Sequence, residues 1–340
     1  MWDTLGRVDR LKAEHRPGRY QRLCNAAFAE PPPPPEAPAT PGSPEAAAAA
    51  AARRRADDFE AIEKDLGRTF PRHRMFSRLN GLEDADLRKS KANGGGGGGG
   101  DGISSGVGEH GESVGMARLR RVLRAYALYD PEVGYCQGMS FFVAMFLMYR
   151  PPPPGLTAAA IAGGGEGAGE DPGEERAFWQ LVGAMWRPGP SQLRPLYTAD
   201  MHSIRAHMHG LGLLAASTAV CPRASAHMAA EGIEISMFAT PWYMTVFSSG
   251  FPFDLVTRVW DVFLAEGFKV LHRVALALLK RFEADIVARP FEELVGFLSR
   301  EMPNLVDPDE IMELAFKIQL KQSMVDAAEG EYWAKNSGRR

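Results

Sequence analysis

Met116-Ala-Arg-Leu-Arg-Arg-Val-Leu-Arg-Ala-Tyr126 sets Met116, Leu119, Leu123 and Tyr126 three and four positions apart, the spacing that gathers side chains on one face of a helix. Ser113 stands three residues ahead of that stripe, where a hydroxyl can cap a first helical turn. The same period returns at Phe142, Val143, Phe146 and Leu147, at Phe178, Leu181, Val182 and Met185, and at Ile204, Met208 and Leu211. Further helices are predicted over 238–248, 255–264, 270–282, 291–298 and 310–324. No segment sustains period-two alternation between turn signals, so the chain reads as all-α. Around Trp260, Phe263, Val274 and Leu278 the helices are apolar on more than one face, which implies several packed layers.

With 340 residues, 45% of them hydrophobic, the chain can bury one large core or two small ones. A formal charge of −3 supplies no global cationic field, so the expectation is no nucleic acid and no general attraction to anionic membrane. Cys24, Cys136 and Cys221 are odd in number and far apart, a pattern of neither a disulfide framework nor a zinc site, and it fits a reducing, cytosolic setting. Asp3, Arg7, Asp9, Arg10, Lys12 and Glu14 interrupt every apolar run near the start, so no signal peptide is expected. The most apolar stretches, 141–149 and 238–247, are too short to span a bilayer.

Three low-complexity stretches punctuate the helical pattern: 31–52, with a proline run and then seven alanines, 93–115, with seven glycines, and 151–173. Such sequence buries too little apolar surface to offset its chain entropy and is expected to be exposed and mobile. The proline run reads as a spacer rather than a ligand for a proline-binding module. The resulting layout is amino-terminal helices over 1–30, an insertion over 31–56, a main domain over 57–327 carrying the insertions 93–115 and 151–173, and a tail over 328–340.

Candidate chemistry starts at Ile62-Glu-Lys-Asp-Leu-Gly-Arg-Thr-Phe-Pro71. Phe59, Ile62 and Leu66 share a helical face, Gly67 ends it and Pro71 forbids continuation, so Arg68 sits at a helix end, free to reach a phosphate. On its own that arginine reads as a cation capping the helix dipole. A second segment, Val133-Gly-Tyr-Cys-Gln-Gly-Met-Ser140, holds Gln137 between flexible residues at the start of another apolar helix. Other candidates fare worse. The glycines at 94–100 lack the following Lys-Ser or Lys-Thr of a phosphate loop. His202, His207 and His209 do not stack on one helical face, so no metal site is expected. Cys136 reads as a small buried thiol, with a cysteine-dependent hydrolase as the alternative. Trp242 and Trp260 read as core, and Asp261 as a buried hydrogen-bond acceptor.

Taken in order, Ile62-x-x-Asp65-x-x-Arg68-Thr-Phe-Pro71, Gly134-Tyr-Cys-Gln-Gly-Met139, and Pro241-Trp with Phe247-Ser-x-x-Phe-Pro252 running into Trp260-Asp-x-Phe-Leu-x-Glu-Gly267 resemble the TBC domain of Rab GTPase-activating proteins. The resemblance covers about 57–324. It implies an all-helical, two-lobed domain that binds a GTP-loaded Rab-type GTPase and completes its active site in trans. In that reading Arg68 is an arginine finger and Gln137 a glutamine finger. Asp65, Tyr135 and Gly138 position them, while Trp242, Trp260 and Asp261 belong to a structural motif. The resemblance further implies no cofactor beyond the GTP and Mg on the partner, and a cytoplasmic protein held on endomembranes through the Rab in vesicle transport. A catalytically silent Rab-binding scaffold is the alternative. The family carries an arginine a few residues before its first tryptophan, whereas Trp2 follows Met1 directly, so the amino-terminal helix is expected to be incomplete. On this reading an Arg68→Ala protein keeps its stability and loses its effect on the partner.

Overall fold

The computed structural model describes residues 8–29, 43–76, 112–158, 161, 171–217 and 220–336. Trp2, the proline run and the glycine run lie outside the described residues. Within them the α-helices are α1 (Val8–Ala13), α2 (Arg19–Phe28), α3 (Pro44–Leu66), α4 (Val114–Tyr129), α5 (Met139–Met148) and α6 (Pro172–Trp186), then α7 (His202–Ser217), α8 (Pro222–Ala230), α9 (Ser236–Met244), α10 (Phe253–Glu266), α11 (Phe268–Arg281), α12 (Glu283–Val287), α13 (Phe291–Gly296), α14 (Pro308–Lys317) and α15 (Gln322–Asn336). No described residue is in a strand. The chain divides into two compact units, 18–178 on one side and 1–17 with 179–340 on the other.

In the 18–178 unit α4 packs against α2, α3 and α5. Its stripe is buried as the spacing predicts, with Leu119, Leu123 and Tyr126 at 1% exposure or less, and the Ser113 hydroxyl accepts from the Met116 amide at 3.2 Å. The alanine run departs from expectation. Residues 46–52, predicted as part of an exposed spacer, are early turns of the 23-residue α3. Alanine has the highest helix propensity, Ser43 caps the helix by accepting from the Ala46 amide, and Pro44 occupies the first turn, where its missing N–H costs nothing. The glycine-rich insertion likewise ends sooner than predicted. Gly115 is already inside α4, where any side chain would overlap Met75, and Ser113 Oγ donates to the Met75 carbonyl at 3.0 Å.

Arg118 and Arg121 of α4 are buried and meet the first turn of α6, which shortens the Pro/Gly-rich insertion to residue 171. Arg118 pairs with Asp171 at 2.6 Å and donates to the Arg150 carbonyl at 2.7 Å. Asp171 also accepts from the Gly173 and Glu174 amides. Glu174 pairs with Arg121 at 3.0 Å and accepts from the Tyr20 hydroxyl at 2.5 Å. Burial nevertheless pushes the Glu174 carboxyl up from 4.5 to about 7, against the opposing charge of Arg121. A folded pKa above the unfolded one contributes stability that is complete below pH 4.5 and is lost as pH rises through 7. Glu174→Gln is therefore expected to gain on the wild type between pH 4.5 and 7.5, by up to about 3 kcal/mol. Denaturant unfolding at both ends of that range reads the difference, and a parallel pair of curves would contradict it.

In the other unit α7 packs along α15, and α11 against α10 and α14. Trp242 and Trp260 are core, with Trp260 Nε1 donating to Ser248 Oγ at 2.9 Å. Asp261 is not buried: Leu255, Val256, Val259, Trp260 and Phe263 take the inward face of α10, and residue 261 falls outside that stripe. The helix predicted over 238–248 stops at Met244, where Val246 and Phe247 turn left-handed at φ 48° and 60° and the Phe247 amide donates to the Trp242 carbonyl at 2.7 Å. The segment 310–324 is two helices. Ile318 adopts an extended backbone, and it and Leu320 are buried across the break. The tail predicted from 328 is the second half of α15, with Ala328 buried.

Candidate functional site

Asp65 is the last acidic residue of α3, two residues before the Gly67 cap, and is 2% exposed. Its two oxygens serve different segments. Oδ1 receives the Arg68 guanidinium through Nε and a terminal nitrogen. Oδ2 accepts from the Tyr135 hydroxyl at 2.5 Å and from the Gly138 amide at 3.3 Å. Tyr135 and Gly138 bracket Gln137, so one buried carboxylate ties the arginine's position to the glutamine's. The Arg68 side chain remains 54% exposed, and Gln137 is exposed.

Two more contacts hold the same pair of segments. Thr69 Oγ1 lies 2.7 Å from both the Asp65 carbonyl and the Ser140 hydroxyl, and Phe70 meets Phe141 edge-on at 5.2 Å. Phe70 sits at φ 44°, a left-handed conformation costing on the order of 1 kcal/mol in a residue other than glycine, immediately before Pro71. The chain thus reverses just beyond Arg68 and leaves the guanidinium outside the turn. Upstream on α3, Arg54 donates to the Glu132 carbonyl at 2.5 Å, and the Asp58 carboxylate fills the space that a side chain on Gly134 would need. Gly134 also has φ 64°. Gly134→Ala should therefore cost both a left-handed backbone and a displaced carboxylate, about 1–3 kcal/mol, read as a lowered melting temperature.

Sequence reasoning found Asp65, Arg68, Tyr135, Gln137 and Gly138, and the fold brings them together. It missed Arg54, Asp58, Thr69 and Ser140. Arg54 and Asp58 are detectable as polar residues four apart that continue to Asp65 on one face of α3. Thr69 and Ser140 carry no pattern, because their pairing spans 71 positions. Cys136 is half-buried, and burial together with the Asp65 carboxylate pushes its thiol up, the reverse of what a nucleophilic thiolate needs. Arg68 is the cation on a nearly fully buried carboxylate, so its loss is expected to cost some stability as well.

Helices alone, with an arginine and a glutamine held outward on one buried carboxylate, define an all-α domain that presents polar groups beyond its own surface. A sequence model described as the Rab-GTPase-TBC domain matches residues 108–287, and the chain belongs to that family. The match contains Gln137 and begins downstream of Arg68, whose place rests on its tie to Asp65. The chain is 26% identical over 273 residues to the Homo sapiens ecotropic viral integration site 5 protein homolog, covering 80% of this chain and 26% of that protein. It is 30% identical over 275 residues to Mus musculus TBC1 domain family member 4 (80% and 16%) and 26% identical over 277 residues to the Caenorhabditis elegans Rab GTPase-activating protein tbc-11 (80% and 23%). It thus spans about a quarter or less of these relatives' length. In fold it is similar to the Chlamydomonas flagellar RabGAP TBC domain, with TM-score 0.56 and 24% identity over 93% of this chain and 77% of that one. The Ypt/Rab-GAP domain of Gyp1p gives TM-score 0.57 and 17% identity over 97% and 87%.

Proposed function

We propose that this chain accelerates GTP hydrolysis by a Rab-type small GTPase in its GTP-bound state, with Arg68 and Gln137 entering the partner's active site. The single observation that supports this most is Asp65, which binds Arg68 directly and holds the two residues that bracket Gln137, with both Arg68 and Gln137 exposed. Phosphoryl transfer spreads negative charge over the transferring group and its leaving oxygen. A planar guanidinium stabilises that charge through directed hydrogen bonds, which lysine's point charge does less well. A glutamine amide offers one acceptor and two donors, enough to hold an attacking water in line while donating toward phosphoryl oxygen.

The protein is then an activator that lends groups to a reaction whose GTP and Mg sit on the partner, with no cofactor of its own. Among the described residues no helix is long and apolar enough to cross a membrane. Peripheral association with endomembranes follows from the partner's location, and a role in vesicle transport from the partner's class.

Single-turnover GTP hydrolysis across a panel of Rabs tests the reading. Wild type should accelerate at least one of them, and Gln137→Ala should lower that acceleration at least about 100-fold while the complex still forms. Affinity for a Rab with no acceleration would instead assign a scaffold. Hydrolysis dependent on Cys136 with no GTPase present would assign the cysteine reading.

A further inference from the structure

His207 of α7, His272 of α11 and Glu329 of α15 converge inside the 179–340 unit. Each offers a ligand atom, and these atoms lie within 4.8 Å of one another. His272 is fully buried, His207 nearly so, and the Glu329 side chain is 18% exposed. His207 Nδ1 is 2.7 Å from Glu329 Oε1, and His272 Nε2 is 3.4 Å from the same oxygen.

The tautomer of His272 follows from its other nitrogen. Nδ1 lies 3.1 Å from the Phe268 carbonyl, which only accepts, so Nδ1 carries a hydrogen. In the neutral ring Nε2 then presents a lone pair to a carboxylate oxygen, and Nε2 is buried without a hydrogen-bond partner. Two electron-rich atoms facing each other repel unless a cation or a donor hydrogen lies between them. The hydroxyl of Tyr243, whose ring is edge-on to His272 at 5.3 Å and stacked with His207 at 5.8 Å, is a second buried polar atom without a partner.

Three features distinguish this cluster from an incidental meeting of polar groups. First, Gly210 on α7 makes room for it: a Cβ there would fall 2.8 Å from Glu329 Cγ, so the missing side chain is what lets α15 bring its carboxylate close. Second, a backbone carbonyl on the remote nitrogen of His272 is the outer-sphere partner that fixes ring and tautomer in histidine metal sites. Third, α15 buries only Val325 and Ala328 among its 15 residues, so apolar burial fastens it weakly although it runs along α7. A stack of Phe268 on His207 at 4.2 Å closes one side with apolar surface.

We propose that His207, His272 and Glu329 bind one divalent transition-metal ion of zinc's class, and that the ion fastens α15 to α7 and α11. Two imidazole nitrogens and one carboxylate oxygen, with a fourth position left for water, suit zinc. Tetrahedral bonds of about 2.0–2.1 Å set ligand atoms about 3.3 Å apart, so small side-chain adjustments suffice. His207 Nδ1 gives up its proton to become a ligand, which shifts that ring to its other tautomer.

The test uses the whole chain, purified from zinc-supplemented cells. Elemental analysis should find about one zinc per chain, chelation should lower the melting temperature, and cobalt(II) added to the stripped protein should produce visible d–d absorption. Glu329→Gln, close in shape, should lose the zinc, the cobalt spectrum and the response to chelator. X-ray absorption on the zinc-loaded wild type needs no variant and should show nitrogen and oxygen ligands with imidazole scattering and no sulfur. A wild type that retains no metal and responds to neither zinc nor cobalt overturns the proposal and assigns the cation to a proton. Sulfur ligands, or zinc retained in full by a folded Glu329→Gln, overturn it by placing the ion elsewhere.

Discussion

Arg68→Ala is expected to lower Rab GTP hydrolysis by a factor of ~10³ to 10⁵ at saturating activator, about 4 to 7 kcal/mol of barrier, measured by single-turnover release of phosphate. The loss should appear in the rate rather than in the affinity of the complex, because the charge the guanidinium answers develops only in the transition state. Stability moves in the same variant. Asp65 is nearly fully buried and loses its cation, though the exposed side of the pair is solvated, so a cost of about 1 kcal/mol is reasonable. A capping role would produce the stability change alone. Arg68→Lys separates the two: it keeps a cation beside Asp65 and should melt near the wild type, yet lacks the planar fork and should lose most of the acceleration. Equal acceleration by wild type, Arg68→Ala and Arg68→Lys would overturn the assignment.

Asp65→Ala is the second large effect, and it should strike stability and rate together. The substitution leaves the Tyr135 hydroxyl and the Gly138 amide buried without their acceptor. At about 1–3 kcal/mol for each group, a loss of about 2–6 kcal/mol in denaturant unfolding is expected. The rate should fall ~100-fold or more although both candidate fingers remain, since each has lost the atom that positions it. Combining Asp65→Ala with Arg68→Ala gives the sharper measurement. If Asp65 acts through Arg68 and the glutamine loop, the double variant should fall short of the product of the two single losses. Full multiplicativity would mean the carboxylate and the arginine act independently, contrary to the geometry.

The all-α fold was legible because its evidence is local: the stripes at Met116–Tyr126 and Phe142–Leu147 are periodic and apolar, and both are buried as read. Element ends were less so. The break at Ile318 is set by where Ile318 and Leu320 find burial, a tertiary effect that overrides the helical spacing of 310–324. The alanine run was misread because low complexity was equated with disorder, although alanine is the strongest helix former and Ser43 and Pro44 mark a start. At the site, Arg68 and Gln137 were visible through motif spacing, while the bonds from Asp65 to Tyr135 and Gly138 span 70 and 73 positions and leave no trace in any window. His207 shows the same limit. Its neighbours in sequence, His202 and His209, are not the residues it meets, because Glu329 lies 122 positions away.

The bond from Ser113 to the carbonyl of Met75 joins residues 38 positions apart, and Gly115 lets the two strands of chain touch. That contact works like the clasp of a necklace: what is strung between its ends can be lengthened, shortened or exchanged with the clasp still shut. The entropic cost of a longer string rises only with the logarithm of its length, about 0.6 kcal/mol for each doubling. Changing the number of residues between Met75 and Ser113 is thus expected to leave Arg68 and Gln137 where Asp65 holds them.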